Sequence, residues 1–420
     1  MSFPLRTVAA QRLPVTHSFE VACSGVRRQS TLTASSTASP SQPSLSITSN
    51  PQQASKPSSQ PRVILSGIQP TGIPHLGNYL GALRNWVSLQ DSSLPSDSLY
   101  FSIVGFHAIT LPQNPSVLRT ERSEMLATLL AIGLDPRRCT IFHQDQVPQH
   151  TELAWILNCI TAFGKLNRMT TWKSKIATAK NAGENTDVED KDLSLGLFAY
   201  PVLQAADILL YKATHVPVGE DQIQHLELSR DLADVYNRRF KKKGFFPLPQ
   251  HIITRTKRVL SLRDPLSKMS KSAPDINSRI LITDTPEQVK NKIKKAVTDA
   301  EASISYSPDS RPGVSNLLSI LAALKSPTIQ NTTSANTLGP EEWAERLNKD
   351  IETTGASSGQ YLKATLTEAI VETLRPIQAE LDKLHKDPGY LLQMEKLGKD
   401  KAQTVARTTM AQVRKAIGLD

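Results

Sequence analysis

The hydrophobic pattern divides the chain into a first segment without periodicity and a long remainder with regular structure. Between about residue 30 and residue 60, nothing repeats at a helical or strand period. Residues 62–65 are a short β-branched run, which predicts a buried first strand. Residues 100–104 and 140–142 predict a second and a third strand, and residues 116–132 carry apolar positions at helical spacing, which predicts a helix.

The order of these elements predicts the fold class. From residue 62 to about residue 282, short apolar runs alternate with helical patterns, which is typical of a parallel α/β sheet. After about residue 285 there are no strand candidates, and the periodicity predicts helices over 287–297, 314–324, 341–350, 360–385 and 399–417. We therefore expect an α/β protein with three parts: residues 1–60, a Rossmann-like parallel-sheet domain over 61–284, and an all-helical C-terminal domain over 285–420.

The first 60 residues have the composition of a targeting segment. They contain twenty Ser or Thr, five Lys or Arg, and Glu20 as their single acid. Such a segment buries too little apolar surface to offset its chain entropy, so we expect it to be disordered. A composition rich in Arg and Ser and poor in acids is also typical of a transit peptide, which favours the mitochondrial matrix. The alternative is a disordered tail that carries no targeting signal.

Composition and charge narrow the classes of function. No apolar run approaches the ~18–20 residues that a membrane span needs, so we expect no membrane partner. Cys23, Cys139 and Cys159 are too scattered for a disulfide framework or a zinc cluster, so no protein-bound metal is expected. The net charge is +10, and it falls to +6 without the five basic residues and one acid of the first segment. This excess suits a polyanionic partner such as nucleic acid.

A loop rich in Gly and Pro, residues 66–78, follows the first predicted strand. The helix after it begins near Leu76, and the N–H groups and dipole of a helix N-terminus favour phosphate. His75 and Asn78 can donate hydrogen bonds to phosphate oxygens, and Gly77 lets a flat ring approach the backbone closely. Taken alone, such a segment is more often an ordinary loop.

A second candidate phosphate element lies about 190 residues downstream, at residues 266–272. Lys268 and Lys271 place two ammonium groups on a short polar loop, where they can follow a triphosphate as pyrophosphate leaves. A lone basic loop of this kind is usually solvated surface. Both elements in this order, flanking a parallel-sheet pattern, favour a nucleotide site.

The two loops resemble the signature motifs of class I aminoacyl-tRNA synthetases. Pro-His-Leu-Gly-Asn at 74–78 is similar to the HIGH signature, and Lys-Met-Ser-Lys-Ser at 268–272 matches the KMSKS signature. Residues 66–72, 200–211 and 216–222 narrow the resemblance to the tryptophanyl-tRNA synthetases of the bacterial and organellar type. This resemblance covers residues 62–420. It implies that 61–284 is catalytic, that 285–420 binds the anticodon, and that the enzyme is a homodimer.

The resemblance also implies a two-step reaction. L-tryptophan and ATP give tryptophanyl-adenylate and pyrophosphate, and tryptophan then passes to tRNA(Trp) for organellar translation. Mg²⁺ would arrive with ATP rather than in a protein cage. The implied catalytic residues are His75, Asn78, Lys175, Lys268, Ser270 and Lys271. The residues implied to contact ATP are Gln69, Pro70, Thr71, Gly77, Asn78, Gly219, Glu220, Asp221, Val259, Lys268, Met269, Ser270, Lys271 and Ser272.

Asp207 is the candidate acceptor for the indole N–H of tryptophan. It lies in the apolar stretch 205–210, and a pocket for indole needs one buried acceptor among apolar walls. From the residues alone, a helix cap or a pair with a lysine would be the simpler interpretation. The resemblance implies the substrate role and adds Tyr200, His107 and Gln222 to the same pocket. For His107 alone, a satisfied core histidine would be the simpler interpretation.

This sequence departs from the family pattern in places. Gly105 and Phe106 precede His107 where bacterial members commonly have Asp-Gln, and Gln204 replaces a methionine of the pocket wall. Lys173 and Lys175 match a basic loop near the triphosphate, with a solvated charge cluster as the alternative. The polar stretch that follows, residues 176–194, is longer than the usual family loop.

The predicted helical region offers two sets of basic residues for tRNA phosphates. We expect Lys290, Lys292, Lys294 and Lys295 to form one basic face, and Arg407, Arg414 and Lys415 to mark another. Two rival functions remain. A tyrosyl-tRNA synthetase shares the fold and both signatures, and an inactive relative could serve as an RNA-binding or splicing protein.

Overall fold

The computed structural model describes residues 60–169, 172, 193–219, 222–253, 259–271, 273–326 and 338–420. Of the candidate residues, Lys175, Glu220, Asp221 and Ser272 lie outside this part of the chain. The same is true of the transit-peptide-like segment up to residue 59.

A parallel sheet of five strands forms the centre of the fold. Its strands are β1 (Val63–Ile68), β2 (Ser98–Ile103), β3 (Thr140–His143), β4 (His215–Val218) and β5 (Gln250–Ile253), in the spatial order β3-β2-β1-β4-β5. All neighbouring pairs are parallel, with Val63 opposite Ser98 and Tyr100 opposite Thr140. The three predicted strands are confirmed. The pattern missed β4 and β5 because Pro217 interrupts one and polar residues begin the other.

The strand order creates a switch point between β1 and β4. From β1 the chain first adds β2 and β3 on one side, and then crosses over to add β4 and β5 on the other. In such sheets, ligands bind in the crevice outside the carboxyl ends of the strands, where the order reverses. The loop with the HIGH-like motif follows β1, and residue 219 follows β4. The fold therefore brings these two candidate segments to one edge of the sheet.

Short and long helices connect the strands of the sheet region in the part of the chain that the structure describes. In that described part the region has eight helices: α1 (Leu76–Asn78), α2 (Arg84–Ser92), α3 (Gly105–Ala108), α4 (Pro115–Ala131), α5 (Gln149–Asn158), α6 (Phe163–Asn167), α7 (Leu195–Leu210) and α8 (Ile223–Arg239). A π-helical turn, Tyr79–Leu83, joins α1 to α2. The predicted helix over 116–132 is confirmed as α4, which begins after an Asn114 cap with proline in its first turn.

The chain after residue 285 is helical in all its described elements. These are α9 (Pro286–Lys294), α10 (Pro312–Lys325), α11 (Pro340–Thr354), α12 (Ser358–Lys386) and α13 (Pro388–Ile417). The first four match the prediction closely. Helix α13 begins well before the predicted residue 399, because Gly389 and Gly398 interrupt the apolar pattern in its first half. None of the described helices is long and apolar enough to span a bilayer.

Two clusters of buried side chains hold the elements together. One joins Ile64 and Phe101 of the sheet to the C-terminal helices as far as Leu384. The other contains α5, α7 and α8 and ends with Val413 on α13. Both clusters therefore include side chains from either side of the predicted boundary at residue 284. That boundary stays a prediction, and residues Ser58–Asp420 form a single compact unit.

Candidate active site at the carboxyl edge of the sheet

His75 caps the first helix after β1. Its Nδ1 accepts a hydrogen bond from the N–H of Asn78 (3.2 Å), and the Asn78 side-chain oxygen accepts one from the N–H of His75 (3.1 Å). This reciprocal pair orients both side chains. Because Nδ1 accepts, a neutral imidazole carries its proton on Nε2. His75 can therefore donate one hydrogen bond to a ligand oxygen.

The electrostatic surroundings keep this imidazole neutral. His75 is 3% exposed, and this burial, with the positive charges of Lys271 and Lys268, lowers its pKa to about 4. The same charges favour an anion beside the imidazole. His75 thus acts as a neutral hydrogen-bond donor in a positive environment, which is the arrangement that phosphate requires.

The second loop is anchored through its methionine. Met269 is 1% exposed, and its N–H donates to the carbonyl of Val259 (3.1 Å). The neighbouring residues Leu260 and Lys268 form an antiparallel bridge. A buried methionine and a short strand-like pair therefore fix the loop, while the side chain of Lys268 is exposed to solvent.

Lys271 joins the two loops. Its ammonium donates to the backbone carbonyls of Thr71 (2.7 Å) and Gly72 (2.9 Å) in the loop that follows β1. Burial lowers the pKa of Lys271 to about 8, although the nearby carboxylate of Glu121 acts in the opposite direction. The two signature segments, far apart in sequence, are thus in direct contact.

The other described ATP candidates come from the same edge. Gln69, Pro70 and Thr71 follow β1 directly, and exposed Gly219 follows β4. Gly77 lies against Val259, since a side chain begun at that glycine would meet the Val259 Cβ at 3.4 Å. Half-buried Ser270 lies between the anchored Met269 and Lys271. The structure brings these segments together, whereas the assignment of each residue to ATP stays a prediction.

Asp207 lies in a buried polar network inside α7. Its two carboxylate oxygens accept from the side-chain amide of Gln144 at 2.7 and 2.8 Å. One oxygen also contacts Nε2 of His107 at 2.9 Å, and the other contacts Nδ1 of His150 at 2.6 Å. Asp207 is 4% exposed, so the helix-cap and lysine-pair interpretations are both wrong. A substrate N–H can reach this carboxylate only by replacing or sharing one of these bonds.

These partners keep the carboxylate ionised. Burial alone would raise the pKa of Asp207, but the hydrogen bond from His107 and the positive charge and hydrogen bond of His150 outweigh it. The pKa is lowered to about 2. A buried anion with two imidazole partners can orient an N–H donor strongly, because little water competes for it.

Gln144 and His150 are site residues that the sequence reasoning missed. Gln144 is fully buried, and its side-chain oxygen accepts from the N–H of Phe106 (3.1 Å) while its amide holds Asp207. His150 is the second residue of α5, and its Nε2 lies 2.9 Å from the hydroxyl of Tyr211. Only the position of Gln144, directly after β3, could have indicated a role, because that is where ligand-binding residues of parallel sheets concentrate.

The remaining tryptophan candidates form a second branch. The Tyr200 hydroxyl lies 3.0 Å from Nε2 of His225, and Nδ1 of His225 lies 2.6 Å from the side-chain oxygen of Gln222. The rings of Tyr200 and His107 are 6.2 Å apart and nearly perpendicular. The structure therefore brings Tyr200, His107, Asp207 and Gln222 into one region.

The predicted basic face over residues 290–295 is wrong for one of its members. Lys292 is 8% exposed and lies 2.5 Å from the Asp284 carboxylate. At 100° per residue, positions 290 and 294 share a side of α9, and position 292 points to the opposite side, toward the core. On α13, Arg414 pairs with Glu152 of α5 at 2.7 Å. Both pairs reduce the positive charge available to an RNA.

Comparison with known proteins identifies the relatives of this chain. A family model described as "tRNA synthetases class I (W and Y)" matches residues 57–374. The mitochondrial tryptophan–tRNA ligase of Saccharomyces cerevisiae is 41% identical over 360 residues, covering 84% of this chain and 90% of that protein. Tryptophan–tRNA ligase 2 of Streptomyces avermitilis is 43% identical over 362 residues, covering 86% and 98%.

Solved structures give the same result. Tryptophanyl-tRNA synthetase from Mycoplasma pneumoniae superposes with a TM-score of 0.69 at 34% identity, covering 86% of this chain and 99% of that one. The enzyme from Campylobacter jejuni, solved with ADP and tryptophan, gives 0.68 at 29% identity and covers 85% and 100%.

Proposed function

Since this chain belongs to the tryptophan–tRNA ligase family of class I tRNA synthetases, we propose that it activates L-tryptophan with ATP and transfers it to tRNA(Trp). The observation that carries the proposal is the contact between Lys271 and the loop after β1. This contact assembles both phosphate-binding segments at the switch point of the sheet. An inactive relative would not need to keep the two loops and their charged groups in contact.

The first step requires positioning more than acid–base chemistry. A carboxylate oxygen of tryptophan forms a bond to the α-phosphorus of ATP, and the bond from that phosphorus to the bridging oxygen of pyrophosphate breaks. Negative charge increases on the leaving group. The Nε2–H of His75 and the ammonium groups of Lys268 and Lys271 are the groups that would stabilise it. Mg²⁺ would enter with the phosphates of ATP as part of the substrate.

Selection of tryptophan is assigned to the network around Asp207. The carboxylate is buried and ionised, and a substrate N–H that replaces or shares one of its bonds would keep it satisfied. A side chain that displaced one of these bonds without offering an N–H would leave a buried anion partly unsatisfied. This penalty is the basis on which such sites discriminate between substrates. The pocket would be completed by Tyr200, His107 and Gln222. Gln204, which replaces a methionine of the family pattern, would lie on its wall.

Transfer to tRNA would use the helical region, residues 285–420, as the anticodon-binding part. Exposed basic residues there, such as Lys290 and Lys294, would contact phosphates without reading bases. Mitochondrial relatives in two yeasts support a matrix enzyme whose first 60 residues are a transit peptide. Lys175, Glu220, Asp221 and Ser272 are proposed to complete the ATP site, although they lie outside the described residues.

A homodimer is proposed from an exposed apolar surface on the sheet region. Trp155 and Phe163 are each 71% exposed, and Leu195 is 79% exposed. Phe163 packs against Phe198 with ring centroids 5.0 Å apart, so these side chains belong to neighbouring elements. Large apolar side chains gathered on a surface are typical of an interface between subunits.

The proposal is tested by tryptophan-dependent exchange of pyrophosphate into ATP. The wild-type protein should exchange with tryptophan and not with tyrosine. Asp207→Asn keeps the shape but removes the charge, and we expect exchange to fall by about 150- to 5000-fold, because breaking a buried charged network costs about 3–5 kcal/mol. Asp234→Asn is the matched control, since Asp234 is exposed and pairs only with Arg238 one turn away among its described ion pairs.

Three outcomes would contradict the proposal. Exchange with tyrosine would favour the tyrosyl enzyme. A folded protein that binds RNA but exchanges with neither amino acid would favour the RNA-binding alternative. Full activity of Asp207→Asn would remove Asp207 from the substrate site.

A further inference from the structure

The 3₁₀ turn Gln144–Gln146 connects three parts of the molecule through three consecutive side chains. Gln144 holds Asp207 on α7. Asp145 pairs with Arg122 on α4, with 2.5 Å between the two groups. Gln146 donates a hydrogen bond to Glu395 on α13. The middle residue of this turn is not explained by the ligase chemistry described above.

The carboxylate of Asp145 occupies the space that a side chain at position 105 would need. A Cβ added to Gly105 would lie 2.3 Å from Oδ1 of Asp145 and 3.0 Å from its Cγ. Gly105 is the first residue of α3, and His107, which bonds to Asp207, is the third. Glycine is required at position 105 by close packing and not by backbone conformation, since the φ angle of Gly105 is not positive.

The ion pair keeps this position although it is poorly satisfied. Oδ1 of Asp145 and Nε of Arg122 are buried and have no hydrogen-bond partner among the described residues. The two side chains are each 23% exposed, and a buried polar atom of a charged group that is left unpaired costs free energy. Stability is therefore a weak reason for having this pair, and the position of the carboxylate is a better one.

Two contacts set the spacing between α3 and the turn. The N–H of Phe106 donates to the side-chain oxygen of Gln144 at 3.1 Å, which ties the segments together. One residue further along the turn and one residue earlier in α3, the carboxylate of Asp145 rests against Gly105, which prevents closer approach. Together, the hydrogen bond from Phe106 to Gln144 and the contact between Asp145 and Gly105 fix how far Gln144 lies from His107.

We propose that Asp145, held by Arg122, is a positioning residue for tryptophan selection. By packing against Gly105, it places the donors of His107 and Gln144 at the same time on the carboxylate of Asp207. The inference rests on the proposed function only in so far as Asp207 belongs to the tryptophan site. Asp145 itself touches no substrate in this arrangement.

The test adds a methyl group at position 105, where it meets the Asp145 carboxylate, and then shortens residue 145 to make room for it. Gly105→Ala should raise KM for tryptophan in the exchange reaction by about 10- to 100-fold, because displacements of an ångström have effects of this size. KM for ATP should change by less than twofold. Asp145→Ala should have an intermediate effect, and the double variant should match Asp145→Ala alone instead of adding the two losses. Gly359→Ala is the control, since a Cβ there meets nothing within 4 Å.

A second measurement does not depend on activity. The proton on Nε2 of His107, in its hydrogen bond to Asp207, gives an imidazole NMR resonance that should shift in Gly105→Ala. In the double variant it should move back toward its position in Asp145→Ala. Asp145→Ser, which also removes the carboxylate group that a Cβ at Gly105 would meet, serves if the alanine variant fails to fold.

The results separate this inference from the proposed function. Unchanged KM for tryptophan in Gly105→Ala, or additive losses in the double variant, would overturn the positioning role even if Asp207→Asn abolishes exchange. Equal losses for tryptophan and ATP would also overturn it, because that is what general destabilisation produces. If the wild-type protein exchanges with neither amino acid, an unmoved His107 resonance in Gly105→Ala would overturn it as well.

Discussion

At the residue scale, the phosphate site depends on two groups whose pKa values are both lowered. Burial, with the charges of Lys271 and Lys268, lowers the pKa of His75, and burial lowers that of Lys271. An anionic ligand beside them favours the charged form of both groups and so opposes these shifts. Each of the two groups therefore loses its positive charge at a lower pH in the free protein than in a complex with an anionic ligand.

The first prediction concerns the pH dependence of ATP use. Lys271 has a pKa of about 8 in the free protein, so it loses its positive charge as the pH rises through that value. We expect kcat/KM for ATP to fall above a pH of about 8. The kcat should fall only at a higher pH, because bound phosphate stabilises the charged form. Pyrophosphate exchange at saturating tryptophan, measured from pH 6 to 10, gives both profiles.

Lys271→Arg is the control for this prediction. A guanidinium stays charged over the whole range, so the fall in kcat/KM near pH 8 should disappear even if activity is lower throughout. A fall near pH 8 that persists in Lys271→Arg would assign the titration to another group.

The sequence predicts those residues of the site that lie in continuous motifs. His75, Asn78, Lys268 and Lys271 belong to short segments whose residue types and order carry the signal. The partners of Asp207 do not, because Gln144 and His150 come from different elements and meet only after the sheet has formed. Apart from the position of Gln144 directly after β3, nothing in the local sequence around either residue distinguishes it from an ordinary polar side chain.

At the element scale, the contact between α13 and strand β3 decides how the C-terminal helices attach to the sheet. A Cβ at Gly398 would lie 1.7 Å from the carbonyl oxygen of Ile141. Helix and strand backbones therefore touch directly. Glu395, about one turn earlier, accepts the hydrogen bond from Gln146.

The second prediction is that Gly398→Ala destabilises the protein strongly. The methyl group collides with backbone, which cannot rotate away, so we expect the free energy of unfolding to fall by about 3 kcal/mol or more. Urea unfolding followed by circular dichroism measures the change. Gly389→Ala, on the same helix, should have a small effect, because its Cβ would lie 3.5 Å from the Asp387 carboxylate. Equal stability of the two variants would contradict the close contact.

Gly398 also explains why the start of α13 was predicted too late. In a sequence, a glycine before an apolar run suggests a helix boundary. Here it is needed inside the helix for a contact with a distant strand, and such contacts leave no local trace. The strands β4 and β5 were missed for a related reason, since the pairing of β4 with β1 and of β5 with β4, and not their own composition, makes them strands.

At the scale of the whole molecule, the hydrophobic core extends across the predicted boundary at residue 284. Ile282 lies before it and Val289 after it, and both belong to the cluster that contains Ile64 of β1. The strand and helix pattern predicted a change of architecture at this point. It could not predict whether the two parts share a core, because periodicity shows which residues are buried and not what they are buried against.

The third prediction is that neither part folds alone. Fragments 60–284 and 285–420, expressed separately, should lack a cooperative unfolding transition, because each loses the apolar partners supplied by the other. The fragment 60–420 should unfold cooperatively under the same conditions. Calorimetry provides the comparison, and a sharp transition in either isolated fragment would show that the predicted boundary separates independent domains.

The covering of β3 by α13 also affects how the protein avoids aggregation. β3 is an outermost strand of the sheet, and an uncovered outer strand offers unpaired backbone groups to other chains. The helix that lies against it, Pro388–Ile417, is synthesised long after the strand. A growing chain therefore has its sheet before it has the cover, and during that interval the strand must be shielded by a chaperone or by low concentration. The folded molecule protects this strand from pairing with other chains by means of the thirty-residue helix α13.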